Sequence, residues 1–153
     1  MPEVLLDLVI LRHGEAEPLI QSDELRNLTE RGGMVVSRQA KKLQAMGFQP
    51  EHIVHSPFAR TTQTAQICHK QFFNADIRSD SALLQSAEPS LVPLVWHGSE
   101  SVLLVSHMPL VGRLIQYLCP NTEIYGLPVA GFVRLNVTQQ DLHAVLQYDG
   151  RNV

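Results

Sequence analysis

Two arginines and two histidines stand at comparable points of the chain. Arg12-His13-Gly14-Glu15 follows an apolar run that ends at Leu11. Ser56-Pro57-Phe58-Ala59-Arg60 follows a short run ending at His55, and His107-Met108-Pro109 follows one ending at Ser106. An arginine fork matches the oxygens of an oxyanion bidentately and never loses its charge. Histidine serves as a covalent nucleophile or as an acid/base. A pocket holding both suits a dianionic oxyanion such as a phosphoryl group. A neutral His13 flanked by cations is expected to have a pKa depressed by charge repulsion, which keeps it nucleophilic near neutral pH. His107, donating to the phosphoryl oxygens, would stabilise the transition state.

These residues meet only if the runs before them are neighbouring parallel strands. The first run, Val4 to Leu11, is nearly continuous in β-branched residues and leucine, as suits a strand buried on both faces. After a polar loop to about Asn27, Thr29 can cap a helix with Val36, Ala40 and Leu43 on one face, and Gly47 is placed to end it. A second strand spans Ile53 to His55. Ser56-Pro57 then reads as N-cap and first helical residue of a helix carrying Ala65, Cys68 and Phe72. A weak strand around Ile77 and a short helix from Pro89 follow. The third clear strand is Ser101 to Ser106, with Pro109 as the first residue of a helix striped by Leu110, Val111, Leu114, Ile115 and Leu118. Two tail strands, Ala130 to Leu135 and Leu142 to Tyr148, flank a hairpin loop at Thr138 to Asp141. Strand–helix alternation predicts an α/β class, a three-layer α/β/α sandwich with a mostly parallel sheet and an antiparallel edge strand. Ligands of such sheets sit at the carboxyl ends of the strands, where the arginines and histidines fall.

Composition sets the frame. The 153 residues predict one domain, 1–153. A hydrophobic share of 44% with 18% charged residues excludes disordered and coiled-coil classes. A net charge of -3 disfavours general nucleic-acid binding, which depends on a basic face. Cys68 and Cys119 lie among apolar residues and read as buried thiols of a reducing compartment. The run from Val4 is too short for a membrane span or signal peptide. A cytoplasmic monomer without a membrane anchor is expected.

Leu11-Arg12-His13-Gly14-Glu15, the stretch Ser56 to Ala65, and Ser106-His107-Met108-Pro109, in that order, resemble the histidine phosphatase superfamily, which includes phosphoglycerate mutases. The short chain, Leu28-Thr29 with Gly32, and His107-Met108-Pro109-Leu110-Val111-Gly112 are most similar to its small SixA-type branch of phosphohistidine phosphatases. The resemblance covers residues from about 9 to 118 and implies a phosphoglycerate mutase-like fold. It implies that His13 is the nucleophile and that Arg12, Arg60 and His107 bind the phosphate. Arg26 sits where such proteins often place a further substrate-facing arginine, with Asn27 replacing the proline commonly beside it. Glu15 and Ser56 are the remaining substrate-binding candidates, and Ser56 is also read as a helix cap.

Other readings are open to test. His13, His107 and Glu15 could form a three-ligand metal site, but Arg12 and Arg60 would repel a divalent cation, so no metal and no other cofactor is expected. His52, His55, His69, His97 and His143 share no spacing with the cluster. The stretch between Ile77 and Ser101, where larger superfamily members carry inserted segments, holds little more than one short helix, so an open site is expected.

Alkyl phosphate esters need a strong general acid, because an alkoxide leaves poorly. Glu15 and Glu88 are the acid candidates, and Leu83-Leu84-Gln85-Ser86 lacks the acid that mutase-like members carry nearby. Imidazole, with a pKa of about 6.5, leaves far more easily. The expected substrate is therefore phosphohistidine on a phosphotransfer domain or phosphocarrier protein. A broad-range small-molecule phosphomonoesterase, or a phosphohistidine-binding module with little turnover, is the alternative.

Overall fold

The computed structural model describes residues 5–18 and 22–153. Alternation along the first strand, β1 (Leu5–Arg12), divides the interior in two. Leu6, Leu8 and Ile10 face one apolar cluster; Val9 and Leu11 face the other. A sheet apolar on both faces must be covered on both. One cover is α1 (Glu30–Ala45) with α2 (Ala59–Gln71), through Val36, Ala40, Leu43, Ala65 and Cys68. The other is α3 (Leu110–Leu118) with a 3-10 segment at Pro89–Trp96, through Val111, Leu114, Ile115, Val92 and Trp96. The three-layer sandwich is thus present. Among the described residues no helix is long and apolar enough to cross a membrane.

The remaining strands are β2 (His52–His55), β3 (Asp76–Ser79), β4 (Ser101–Ser106), β5 (Phe132–Thr138) and β6 (His143–Gly150). The sheet order is β3-β2-β4-β1-β5-β6. The first four run parallel, and β5 runs antiparallel to β1. β6 forms a hairpin with β5 and makes the outer edge, so the reversed strand lies one place inside it.

Expected and observed elements agree within a few residues, and the differences have local causes. Val4, read as the start of the first strand, lies outside the described residues. Thr29 caps α1, its hydroxyl accepting from the Gly32 amide at 2.9 Å. Gly47, one residue past the C-cap, adopts φ +83°, the left-handed turn that glycine makes at low cost. The tail strands start two and one residues later and end three and two residues further than read, at Thr138 and Gly150, because β5 stays paired with β1 out to Thr138 opposite Leu5. Pro109 is the N-cap of α3 rather than its first helical residue. Ser56-Pro57 does not start α2 either. That helix begins at Ala59, because the Ser56 hydroxyl is engaged elsewhere and its carbonyl accepts from Thr61 Oγ1 at 2.7 Å. Cys68 and Cys119 are buried free thiols, and burial pushes the Cys68 thiol up to about 12.

Candidate active site

Pairing puts three strand ends side by side. Arg12 of β1 lies opposite Ser106 of β4, and His55 of β2 lies opposite Val105. The residue after each strand therefore emerges on one edge: His13, Ser56 and His107. The main chain continues the ladder into these loops, with His13 N–H donating to Ser106 O at 3.1 Å and Ser56 N–H to Val105 O at 3.1 Å. On the far side of β1 the loop before β5 braces the same segment. Ala130 N–H donates to His13 O at 2.9 Å, and the buried Gln39 amide donates to Ala130 O at 2.7 Å.

His13 is 7% exposed. Its Nδ1 lies 2.7 Å from the Gly14 carbonyl oxygen. A carbonyl only accepts, so Nδ1 carries the proton and Nε2 keeps its lone pair. Burial, followed by the charges of Arg60, Arg12 and Arg26, pulls the His13 pKa down to about 4, against the opposing Gly14 hydrogen bond. Charge repulsion, read from sequence as the cause, is thus secondary to desolvation. The result is the one expected, a neutral imidazole at neutral pH, whose Nε2 lone pair accepts a long 3.4 Å hydrogen bond from Arg60 Nε–H.

His107 is 1% exposed, and its ring centroid lies 5.4 Å from that of His13, edge to face. Phe58 packs against it at 5.1 Å. Its Nε2 lies 2.7 Å from Ser56 Oγ, while its buried Nδ1 has no hydrogen-bond partner among the described residues. Burial and the Arg60 charge pull its pKa down to about 3. Arg12 donates from Nη1 to Leu127 O at 2.9 Å, and its buried Nε is likewise unpartnered. The cluster thus presents two buried nitrogens without protein partners beside a lone-pair nucleophile.

Arg60 is 4% exposed and held from several sides. It donates from Nη1 to Asp23 O at 2.8 Å, and from Nη2 to Asp23 Oδ2 and Gln85 Oε1, both at 3.2 Å. Phe58 stacks under the guanidinium at 5.1 Å. Arg26 joins through the same carboxylate, donating to Asp23 Oδ1 at 3.1 Å. Glu15 does not hydrogen-bond to this group. Its carboxylate accepts from Thr29 Oγ1 at 2.8 Å and Arg31 Nη2 at 2.7 Å, because the backbone of Glu15 lies against the first turn of α1. Glu88, the other acid candidate, pairs with Arg113 at 3.6 Å. Ser56 is buried against His107 instead of capping a helix.

Several contributors escaped the sequence reading. Asp23 anchors Arg60 and Arg26; its spacing of three from Arg26 was the available signal. Gln85, which accepts from Arg60 Nη2, is marked in the sequence only by standing where an acid is absent. Thr64 ties the motifs together, accepting from Gly14 N–H at 3.1 Å and donating to Arg60 O at 2.8 Å. Among the described residues no group of three or more His, Cys, Asp or Glu could hold a metal ion.

The profile of the histidine phosphatase superfamily, branch 1, matches residues 8–85. The chain belongs to the histidine phosphatase superfamily. Within it, this histidine phosphatase is of the SixA type. It is 32% identical over 128 residues to the phosphohistidine phosphatase SixA of Escherichia coli, covering 75% of each chain. It is 29% identical over 135 residues to the SixA homolog of Haemophilus influenzae, covering 79% of this chain and 78% of that one. The solved structure of the protein histidine phosphatase SixA complexed with tungstate superposes with a TM-score of 0.88 at 24% identity, covering 95% of this chain and 97% of that one. At that identity the likeness speaks for the fold. As a histidine phosphatase the chain is a phosphatase enzyme.

Proposed function

We propose that the chain hydrolyses the phosphoramidate bond of a phosphohistidine on a phosphotransfer protein through a covalent intermediate on His13. Nε2 of His13 attacks phosphorus and the P–N bond of the substrate breaks; the substrate ring, protonated beforehand from solvent at its other nitrogen, leaves as neutral imidazole. A water molecule then attacks the phosphoenzyme, the Nε2–P bond breaks, and inorganic phosphate leaves. Arg12, Arg60 and His107 hold the phosphoryl oxygens, with Arg26 at the rim.

One observation carries the choice of substrate: among the described residues, the carboxylates beside the nucleophile loop, Asp23 and Glu15, are both held in the ionised form by cations. Burial raises the affinity of Asp23 for a proton, but hydrogen bonds and charge from Arg26 and Arg60 outweigh it and hold the carboxyl below its ordinary range. Gln85, a neutral amide, occupies the neighbouring place on Arg60. Glu15 is held low by Arg31 and Thr29. An alkoxide leaving group finds no acid here, whereas imidazole needs none. The names of the curated SixA relatives point the same way. Tungstate in the similar structure is an oxyanion, as a phosphoryl-binding site requires. We read the enzyme as a cytoplasmic monomer that binds neither nucleic acid nor membrane.

The test is a turnover screen of phosphohistidine-bearing phosphotransfer proteins against simple phosphate esters. Faster turnover of the phosphoramidates by at least tenfold in kcat/KM is expected. Preference for sugar or alkyl phosphates would instead favour the broad-range phosphomonoesterase, and stoichiometric binding without turnover would favour a recognition module.

A further inference from the structure

Ser56 and His107 form a pair that the reaction as described does not explain. Ser56 is fully buried and His107 nearly so, and Oγ lies 2.7 Å from Nε2. The Ser56 hydroxyl has no other hydrogen-bond partner among the described residues. A hydroxyl donates one proton, and a neutral imidazole offers one donor and one acceptor. If Nε2 carried the proton, it would donate to Ser56 Oγ. The serine hydrogen would then be buried without an acceptor, and a bare Nδ1 lone pair would line an anion site. If Ser56 donates to Nε2 instead, the serine is satisfied and the imidazole proton lies on Nδ1. Without substrate either tautomer leaves one buried donor unpaired, but the first also orphans the Nδ1 acceptor, whereas the second is fully paired once an oxyanion sits at Nδ1. His107 stays neutral at working pH because burial depresses its pKa, so the choice between tautomers is a real one.

We propose that Ser56 is a positioning residue that donates its hydroxyl hydrogen to Nε2 of His107, fixing the tautomer whose Nδ1–H donates to a phosphoryl oxygen. This rests on the phosphoryl-transfer reading of the site, but not on which phosphate is the substrate. The buried, unpartnered Nδ1 is the second observation behind it. A donor that finds its acceptor only when the phosphoryl group is in place contributes most where the oxygens gain charge, in the transition state.

The experiment reads the tautomer directly and then its consequence. In uniformly 15N-labelled enzyme without substrate, the long-range 1H–15N spectrum should show His107 protonated at Nδ1. Ser56→Ala should shift it toward the Nε2-protonated form. With p-nitrophenyl phosphate and with a phosphohistidine protein, Ser56→Ala should lower kcat about tenfold or more with KM nearly unchanged, while removing the donor altogether in His107→Ala costs roughly 100-fold. In a His107→Ala background the Ser56→Ala change should have no further effect on kcat, since the serine acts through the ring. His107→Asn, whose amide nitrogen falls near Nδ1, should retain more activity than His107→Gln. An Nε2-protonated His107 in the unmodified enzyme overturns the proposal, as does an unchanged kcat in Ser56→Ala or full additivity with His107→Ala. Failure of the phosphohistidine preference alone leaves the tautomer result standing, so the two readings fail separately.

Discussion

Arg60 donates its Nε–H to Nε2 of His13 across 3.4 Å, a long hydrogen bond from a buried guanidinium to the lone pair proposed to attack phosphorus. The relationship is possible because Asp23 and Gln85 hold the other end of Arg60. A cation at this distance lowers the proton affinity of Nε2 and is positioned to receive phosphoryl oxygens.

Arg60→Lys is therefore not conservative. A lysine keeps the charge but cannot meet the Asp23 carbonyl, the Asp23 carboxylate and a phosphoryl oxygen together. Loss of one positioned donor costs roughly 2–4 kcal/mol in the transition state, about 30- to 1,000-fold in rate. Steady-state kinetics should show the loss mainly in kcat. A change under about threefold, within the scatter of a surface substitution, would remove Arg60 from the site.

The pH dependence follows from the two neutral histidines. His13 is pulled to about 4 and His107 to about 3, both below the free-histidine value. Activity that needs both neutral should hold from neutrality down to about pH 5 and fall below that. For stability, the unfolded chain takes up these protons near pH 6.5 while the folded protein does not. The stability is fully present above pH 6.5 and is lost as pH falls toward 4. Melting temperatures measured across this window should decline less steeply in His13→Ala. A kcat/KM profile with its acid midpoint at 6.5 would contradict the burial argument.

Two adjacent glycines of α1 should respond in opposite directions. A Cβ on Gly32 would lie 2.2 Å from the Glu15 carbonyl oxygen and 2.9 Å from its nitrogen, backbone atoms of the loop that carries His13. Gly32→Ala should destabilise by about 1–3 kcal/mol and lower kcat by displacing that loop. A Cβ on Gly33 meets only Ile67 Cδ1 at 3.5 Å. Gly33→Ala should stabilise by about 0.4–1 kcal/mol with activity intact. Thermal melts and kinetics of the pair check the close approach of α1 to the nucleophile loop.

Turnover should survive prolonged treatment with EDTA. Arginines and neutral imidazoles supply the charge and donors that a divalent cation would otherwise provide. Activity lost on chelation and restored by zinc or magnesium would contradict this.

The sequence made the scaffold legible because apolar runs and helical stripes report burial, and burial sets the layers. The convergence of His13, Arg60 and His107 was readable because each follows a strand, and parallel neighbours end together. What stayed hidden depends on side-chain direction. Ser56 reads as a cap, since serine before proline commonly is one, but tertiary packing turns its hydroxyl to His107. Glu15 adjoins the nucleophile in sequence, yet Thr29 and Arg31 take its carboxylate. Asp23 and Gln85 reach Arg60 from separate loops, across 37 and 25 residues, and no local pattern encodes such contacts.

The most direct test of the account is a rapid-quench experiment with a phosphohistidine protein as substrate, followed by mapping of any phosphate left on the enzyme. The account predicts an acid-labile, alkali-stable phosphoenzyme on Nε2 of His13, formed and consumed at rates compatible with turnover. The same adduct should be absent from a folded but inactive His13→Ala variant. Phosphate release at the normal rate from His13→Ala, or a phosphoenzyme on any other residue, would contradict it.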